Sequence, residues 1–129
     1  MPLRCLIVDD NPEFRDVART LLEGQGVLVV GVAASSAEAV RRVEELGPDV
    51  ALVDIDLGGE SGFDVARRLA DGGSQTAAKV ILISTHDERE FADLIEASPA
   101  IGFLAKTGLS SGSIRRLLAQ FDGPDAAGG

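Results

Sequence analysis

The sequence predicts an α/β fold, a doubly wound, five-stranded parallel sheet with five helices on its two faces, stacked as a three-layer sandwich. Three observations lead there. Short runs rich in Val, Ile, Leu and Ala at 3–8, 27–33, 50–53, 80–83 and 100–105 alternate with segments whose apolar residues recur at helical spacing. The runs are nearly continuously apolar, as strands covered on both faces are. A chain of 129 residues, 45% hydrophobic and 26% charged, suits one domain with a substantial core. Residues 1–122 are assigned to that domain, and 123–129, "GPDAAGG", to a flexible tail.

Taken in order, the first run, "LRCLIV", contains Cys5, the single cysteine, which is read there as a small buried thiol. Asn11 before Pro12 suits an N-cap followed by proline at the first helical position. Phe14, Val17, Ala18, Leu21 and Leu22 then supply one apolar helix face, which stops at Gly24. After the second run, Ser35-Ser36-Ala37-Glu38 has capping-box spacing and Gly47 ends the helix. A third helix follows Ser61, with Val65, Ala66, Leu69 and Ala70 on its inner face, and 71–78, "DGGSQTAA", is a loop. Asp87, with Glu90 three residues on, caps a fourth helix carrying Phe91, Leu94 and Ile95. Ser110 and Ser111 are caps for the last helix, whose face is Ile114, Leu117, Leu118 and Phe121.

Charge narrows the function. Twenty-one acidic residues against twelve basic ones give a formal charge of −9, which opposes direct contact with nucleic acid. No apolar run approaches a membrane span, and Met1-Pro2-Leu3-Arg4 leads straight into a strand, so a cytoplasmic protein without membrane contact is expected.

In sheets of this kind ligands bind beyond the carboxyl ends of the strands. Those positions hold Asp9 and Asp10, then Asp54 and Asp56, then Ser84 and Thr85, then Lys106, whereas the second strand ends in Ala33-Ala34. Singly, each is ordinary turn or capping chemistry; the fold brings them to one rim. Two carboxylates about 4 Å apart repel by about 4 kcal/mol at an effective dielectric near 20, so Asp9, Asp10 and Asp54 together require a cation. All-oxygen ligation suits Mg²⁺, and the chain has no Cys or His group spaced for zinc. Asp54 is then a carboxylate nucleophile beside a metal, with Lys106 and Ser84 as donors to the oxygens of a transferred phosphoryl group.

The motifs "LIVDDNPEFR", "VALVDIDLGGESGFDV", "ILIST" and "GFLAKT" resemble those of the receiver domain of two-component response regulators along nearly the whole chain. The resemblance implies a flavodoxin-like fold of strand order 2-1-3-4-5, in which Asp54 takes a phosphoryl group from a histidine kinase or phosphotransfer protein. It implies Mg²⁺ held by Asp10 and Asp54 directly, by Asp9 largely through water and by the backbone carbonyl of Asp56. It also implies a switch pair, Ser84 and Phe103, acting on the surface of the fourth helix, fifth strand and fifth helix, a role as signalling switch rather than dedicated enzyme, and compatibility with a homodimer. The segment 33–57 looks somewhat like receivers joined to helix-turn-helix DNA-binding domains. Five positions depart from the family's usual residues or sit where it tunes phosphate loss: Thr107 for proline, Thr85 for alanine, Phe103 for tyrosine, and Asp56 with His86. For Phe103 the switch and core readings are both open, and His86 is read as facing water. A competing reading is a haloacid dehalogenase-like phosphatase using Asp54 and Asp56, against which the order of the motifs argues. A flavin carrier would need a Ser/Thr/Gly-rich phosphate loop where "DDNPEF" stands.

Overall fold

The structure, a computed structural model, describes residues 2–71, 79–85 and 88–128. Five strands, β1 (Arg4–Val8), β2 (Leu28–Ala33), β3 (Val50–Asp54), β4 (Lys79–Ser84) and β5 (Gly102–Ala105), form one parallel sheet in the order β2-β1-β3-β4-β5. Helices α1 (Pro12–Gly24), α2 (Ser36–Leu46), α3 (Gly62–Asp71), α4 (Ala92–Ala97) and α5 (Ser111–Gly128) connect or follow them. The strand order reverses beside β1, with β2 on one side and β3 on the other, which puts a ligand crevice between the ends of β1 and β3.

Alternate strand residues supply two cores. Leu6, Val8, Ala51, Val53, Val80 and Leu82 face α2 and α3, packing with Ala39, Val43, Val65, Ala66 and Leu69. Cys5, Ile7, Val50, Leu52, Ile81 and Ile83 face α1 and α5, packing with Ala18, Leu22 and Ile114. All of β3 is buried, Asp54 included. Both faces being covered explains why the strands read as unbroken apolar runs. Among the described residues, no helix is long and apolar enough to cross a membrane.

The helix signals hold with local corrections. Asn11 accepts hydrogen bonds from the N–H groups of Glu13 and Phe14, capping α1 with Pro12 at its start. The expected stop at Gly24 is the last helical residue, and the left-handed turn falls two residues later at Gly26. The Ser35 hydroxyl accepts from the Glu38 N–H, but Glu38 returns its carboxylate to the N–H of Ala34 rather than to Ser35. Gly47 ends α2 in the left-handed region as expected. Ser110, not Ser111, caps α5 by accepting from the Ser113 N–H; Ser111 is the first helical residue. A 3₁₀ turn over Glu88–Phe91 precedes a short α4. The α5 backbone stays helical to Gly128, past Asp122. Residues 72–78 of the expected loop, His86, Asp87 and the Phe121 side chain fall outside what is described.

One correction is larger. Only one side of the α1 apolar stripe, at Ala18 and Leu22, meets the sheet, while Val17 and Leu21 on its other side are 65% and 39% exposed.

Cys5 is fully buried, and burial pushes its thiol up to about 12. Two results are expected. A thiol reagent at about pH 8 leaves the native chain unlabelled and labels it rapidly in denaturant, because only the thiolate reacts. Since the folded-state value lies above the unfolded one, the contribution to stability is complete below the unfolded value near 9 and is lost at about 1.4 kcal/mol per pH unit above it. Alkaline melting curves should therefore fall less steeply for Cys5→Ala than for the parent chain.

Candidate functional site

At the carboxyl ends of β1 and β3 the main chain turns polar. Asp9 is fully buried and Asp54 is 7% exposed, whereas Asp10 faces solvent. One carboxylate oxygen from each of Asp9, Asp10 and Asp54 lies within 4.8 Å of the others. Buried acids at that spacing need neutralising. Lys106, immediately after β5, does part of it: its Nζ donates to Asp9 Oδ2 at 2.7 Å and to Asp54 Oδ2 at 3.1 Å. The ammonium also sits 4.2 Å from the centre of the Phe14 ring, whose π face favours a cation.

Backbone groups fix the two buried acids. Asp9 Oδ1 accepts from the Asn11 N–H, and the Asp9 carbonyl accepts from Arg15 Nη1. Asp54 Oδ1 accepts from the Asp56 N–H. Burial raises the Asp54 carboxyl above the ordinary range, with the Asp9 charge adding to it, against the hydrogen bonds from Asp56 and Lys106. For Lys106, burial pulls downward, but hydrogen bonds and charge from Asp9 and Asp54 outweigh it and leave the ammonium raised. Lys106 is therefore a fixed cation, and Asp54 a carboxylate whose charge is held at a cost.

The chain after Asp54 makes a small hairpin, Asp56–Leu57 paired with Glu60–Ser61. Its turn passes through Gly58 with φ of 68°, and a β-carbon there would come within 3.0 Å of Asp10 Oδ2. A β-carbon on Gly62 would collide with the Asp54 carbonyl. Both glycines let backbone close around the acids where a side chain would push it away.

The rim expected from the sequence is thus assembled for Asp9, Asp10, Asp54 and Lys106. Ser84 ends β4, is buried, and lies in register with Ala105, next to Lys106. Asp56 is exposed and lends the cluster its N–H, and its carboxylate does not belong to the acidic group. Thr85 is exposed. The Lys106–Thr107 bond is trans, as no cis bond occurs among the described residues. Phe103 is buried in the core cluster of the α2–α3 face, together with Ile55, Leu57 and Phe63. Phe14 and Arg15 were not singled out as site residues. Their signal was position: one helical turn beyond Asp10, at the end of α1 nearest the acids.

The donor set is hard oxygen throughout, and two of its three acids are buried, which suits Mg²⁺ or Ca²⁺ better than zinc.

Residues 5–117 match the model of the response regulator receiver domain. Response regulator GacA of Pseudomonas viridiflava is 32% identical over 81% of this chain and 48% of its own length. A protein-glutamate methylesterase/protein-glutamine glutaminase of Myxococcus xanthus is 40% identical over 67% of this chain and 25% of its own. The chain thus spans about half the length of the curated regulator and a quarter of the esterase. The solved signal receiver domain of NarL from Mycobacterium tuberculosis superposes with a TM-score of 0.76 at 32% identity, covering 95% of this chain and 98% of that one. Fold, rim and motif agree, and the chain belongs to the receiver domain family of two-component response regulators.

Proposed function

We propose that Asp54 is the phosphoryl acceptor, charged by a phosphohistidine on a kinase or phosphotransfer protein. The observation that carries this is the arrangement around Asp54: a buried carboxylate, oriented by the Asp56 N–H and the Lys106 ammonium, beside two further acids. A carboxylate oxygen of Asp54 attacks phosphorus as the N–P bond breaks, and the bonding pair leaves with the imidazole. Asp10 and Asp54, with Asp9 behind them and the Asp56 carbonyl, are the groups that would hold Mg²⁺. That ion, when bound, neutralises the acids and the developing charge on the phosphoryl oxygens. Lys106 and Ser84 stand ready to donate to those oxygens.

The response is carried by Ser84 and Phe103 to the face of α4, β5 and α5. Supporting this, no residue of α4 is fully buried, and Phe91 and Ile95 are only partly buried against the cluster containing Phe103. A helix held so weakly can change its packing for little free energy. The domain acts in the cytoplasm, either by itself or as the input part of a longer regulator like the relatives it half spans, in a form compatible with a homodimer and without meeting nucleic acid directly. The phosphatase reading is not favoured, since Asp56 does not turn its carboxylate to the acids.

Intact-mass measurement after acetyl phosphate treatment tests the proposal. One phosphoryl group should be gained with Mg²⁺ and none with a chelator, and peptide mapping should place it on Asp54. Sustained phosphate release from a monoester would instead favour the phosphatase.

A further inference from the structure

The hairpin over the acids has two residues in each strand, too few to hold its own position in water. Something else must anchor it. The hairpin's own Leu57 is buried in the core as one anchor, and the second anchor is polar. Glu60 Oε1 accepts from the backbone N–H of Ser36 at 2.9 Å, and Glu60 Oε2 accepts from the Ser36 hydroxyl at 2.6 Å. Ser36 is the first residue of α2 and is itself buried, and its hydroxyl also accepts from Arg68 Nη1 of α3 at 3.0 Å. One exposed carboxylate thereby satisfies an otherwise orphaned helical N–H and ties together the hairpin, α2 and α3. The two hydrogen bonds from Ser36, with the Arg68 charge nearby, hold the Glu60 carboxyl below its usual range, so it remains an anion at neutral pH.

We infer that Glu60 is a positioning residue for the acidic site, clamping the hairpin to α2 so that Gly58 and the Asp56 backbone are preset over Asp10 and Asp54. The inference rests on the reading of that site as a divalent-cation and phosphoryl site. Gly58 abuts Asp10, and the Asp56 N–H bonds Asp54, so slack in the hairpin is felt at both acids. Groups that orient metal ligands typically govern affinity on the order of tenfold or more.

The test is a Mg²⁺ titration of the 129-residue chain, followed by amide NMR shifts well below the melting temperature, together with phosphoryl uptake across the same Mg²⁺ range. Glu60→Ala should raise the half-saturating Mg²⁺ concentration on the order of tenfold. Maximal uptake at saturating Mg²⁺ should stay within about twofold, since the acceptor is untouched. Ser36→Ala should shift the same way, and the double variant should add little, as expected for one shared contact. Glu60→Gln, which keeps the shape and one acceptor, provides a milder variant should alanine prevent folding, with a smaller shift in the same direction. Loss of thermal stability without any change in half-saturation, in whichever of these variants folds, would overturn the inference. Unchanged half-saturation overturns it alone, whereas a parent chain that binds no Mg²⁺ overturns the site reading and the inference together.

Discussion

Asp54→Asn is expected to abolish the phosphoryl gain completely and, in chelator, to raise the melting temperature by a few degrees. The first effect follows because the amide has no anionic oxygen to attack phosphorus. The second comes from the charge balance of the metal-free site. Asp54 is buried, faces Asp9, and has its carboxyl raised for those reasons. A carboxyl raised in the folded state contributes its stability below the unfolded value and loses it as pH climbs through the folded one. At neutral pH the ionised Asp54 therefore weighs against the fold, and the isosteric amide relieves it while Lys106 keeps Asp9 as partner. Saturating Mg²⁺ should reverse the order, because the parent chain gains about 2.7 kcal/mol at a hundredfold excess over Kd and the variant has lost a ligand. Calorimetry with and without Mg²⁺ reads both halves. A full phosphoryl gain in the variant, or a lower melting temperature in chelator, contradicts the assignment.

Most of the fold was legible because its signals are local and repeated. Unbroken apolar runs need cover on both faces, and Asn11, Ser35 and Gly47 mark helix ends by chemistry that works within a few residues. The rim was legible for the same reason: once strands are placed, the residue after each is placed too, which brought Asp9, Asp54 and Lys106 together from 97 residues apart in sequence. What failed depends on how far a neighbour reaches. Periodicity gives the direction of an apolar stripe, not the width its partner covers, so Val17 and Leu21 could not be told from Ala18 and Leu22. Phe14 counted only as a helix-face residue, although its ring lies beside the Lys106 ammonium. Glu60 carried no local signal at all, because its partner Ser36 is 24 residues upstream and the two meet only when hairpin and α2 dock. Phe103 is buried, as its core reading required, and burial is equally the starting state of a ring that moves.

Lys106→Ala should be the most destabilising of the substitutions considered, and its defect should depend on Mg²⁺. The ammonium is the direct partner of a fully buried Asp9 and a nearly buried Asp54, at 2.7 and 3.1 Å. Removing one member of a buried ion pair leaves the other charges uncompensated, at about 3 kcal/mol or more. The contact with the Phe14 ring is lost as well, which exposes that ring's inner face. In chelator the variant should melt well below the parent chain, and the deficit should shrink as pH falls, because Asp54, its carboxyl raised by burial, loses its charge on taking up a proton. A bound divalent ion offers the acids an alternative cation, so Mg²⁺ should stabilise the variant more than it stabilises the parent. Phosphoryl uptake should survive at reduced rate, because the nucleophile and the oxygen ligands are intact, while the shift changes that reach α5 in the parent should fade. The role assigned to Lys106 fails if Mg²⁺ stabilises both chains equally, or if NMR shifts on phosphorylation propagate to α5 undiminished. Either result would mean that the two acids reach neutrality, and the phosphoryl signal reaches the far face, without this amine.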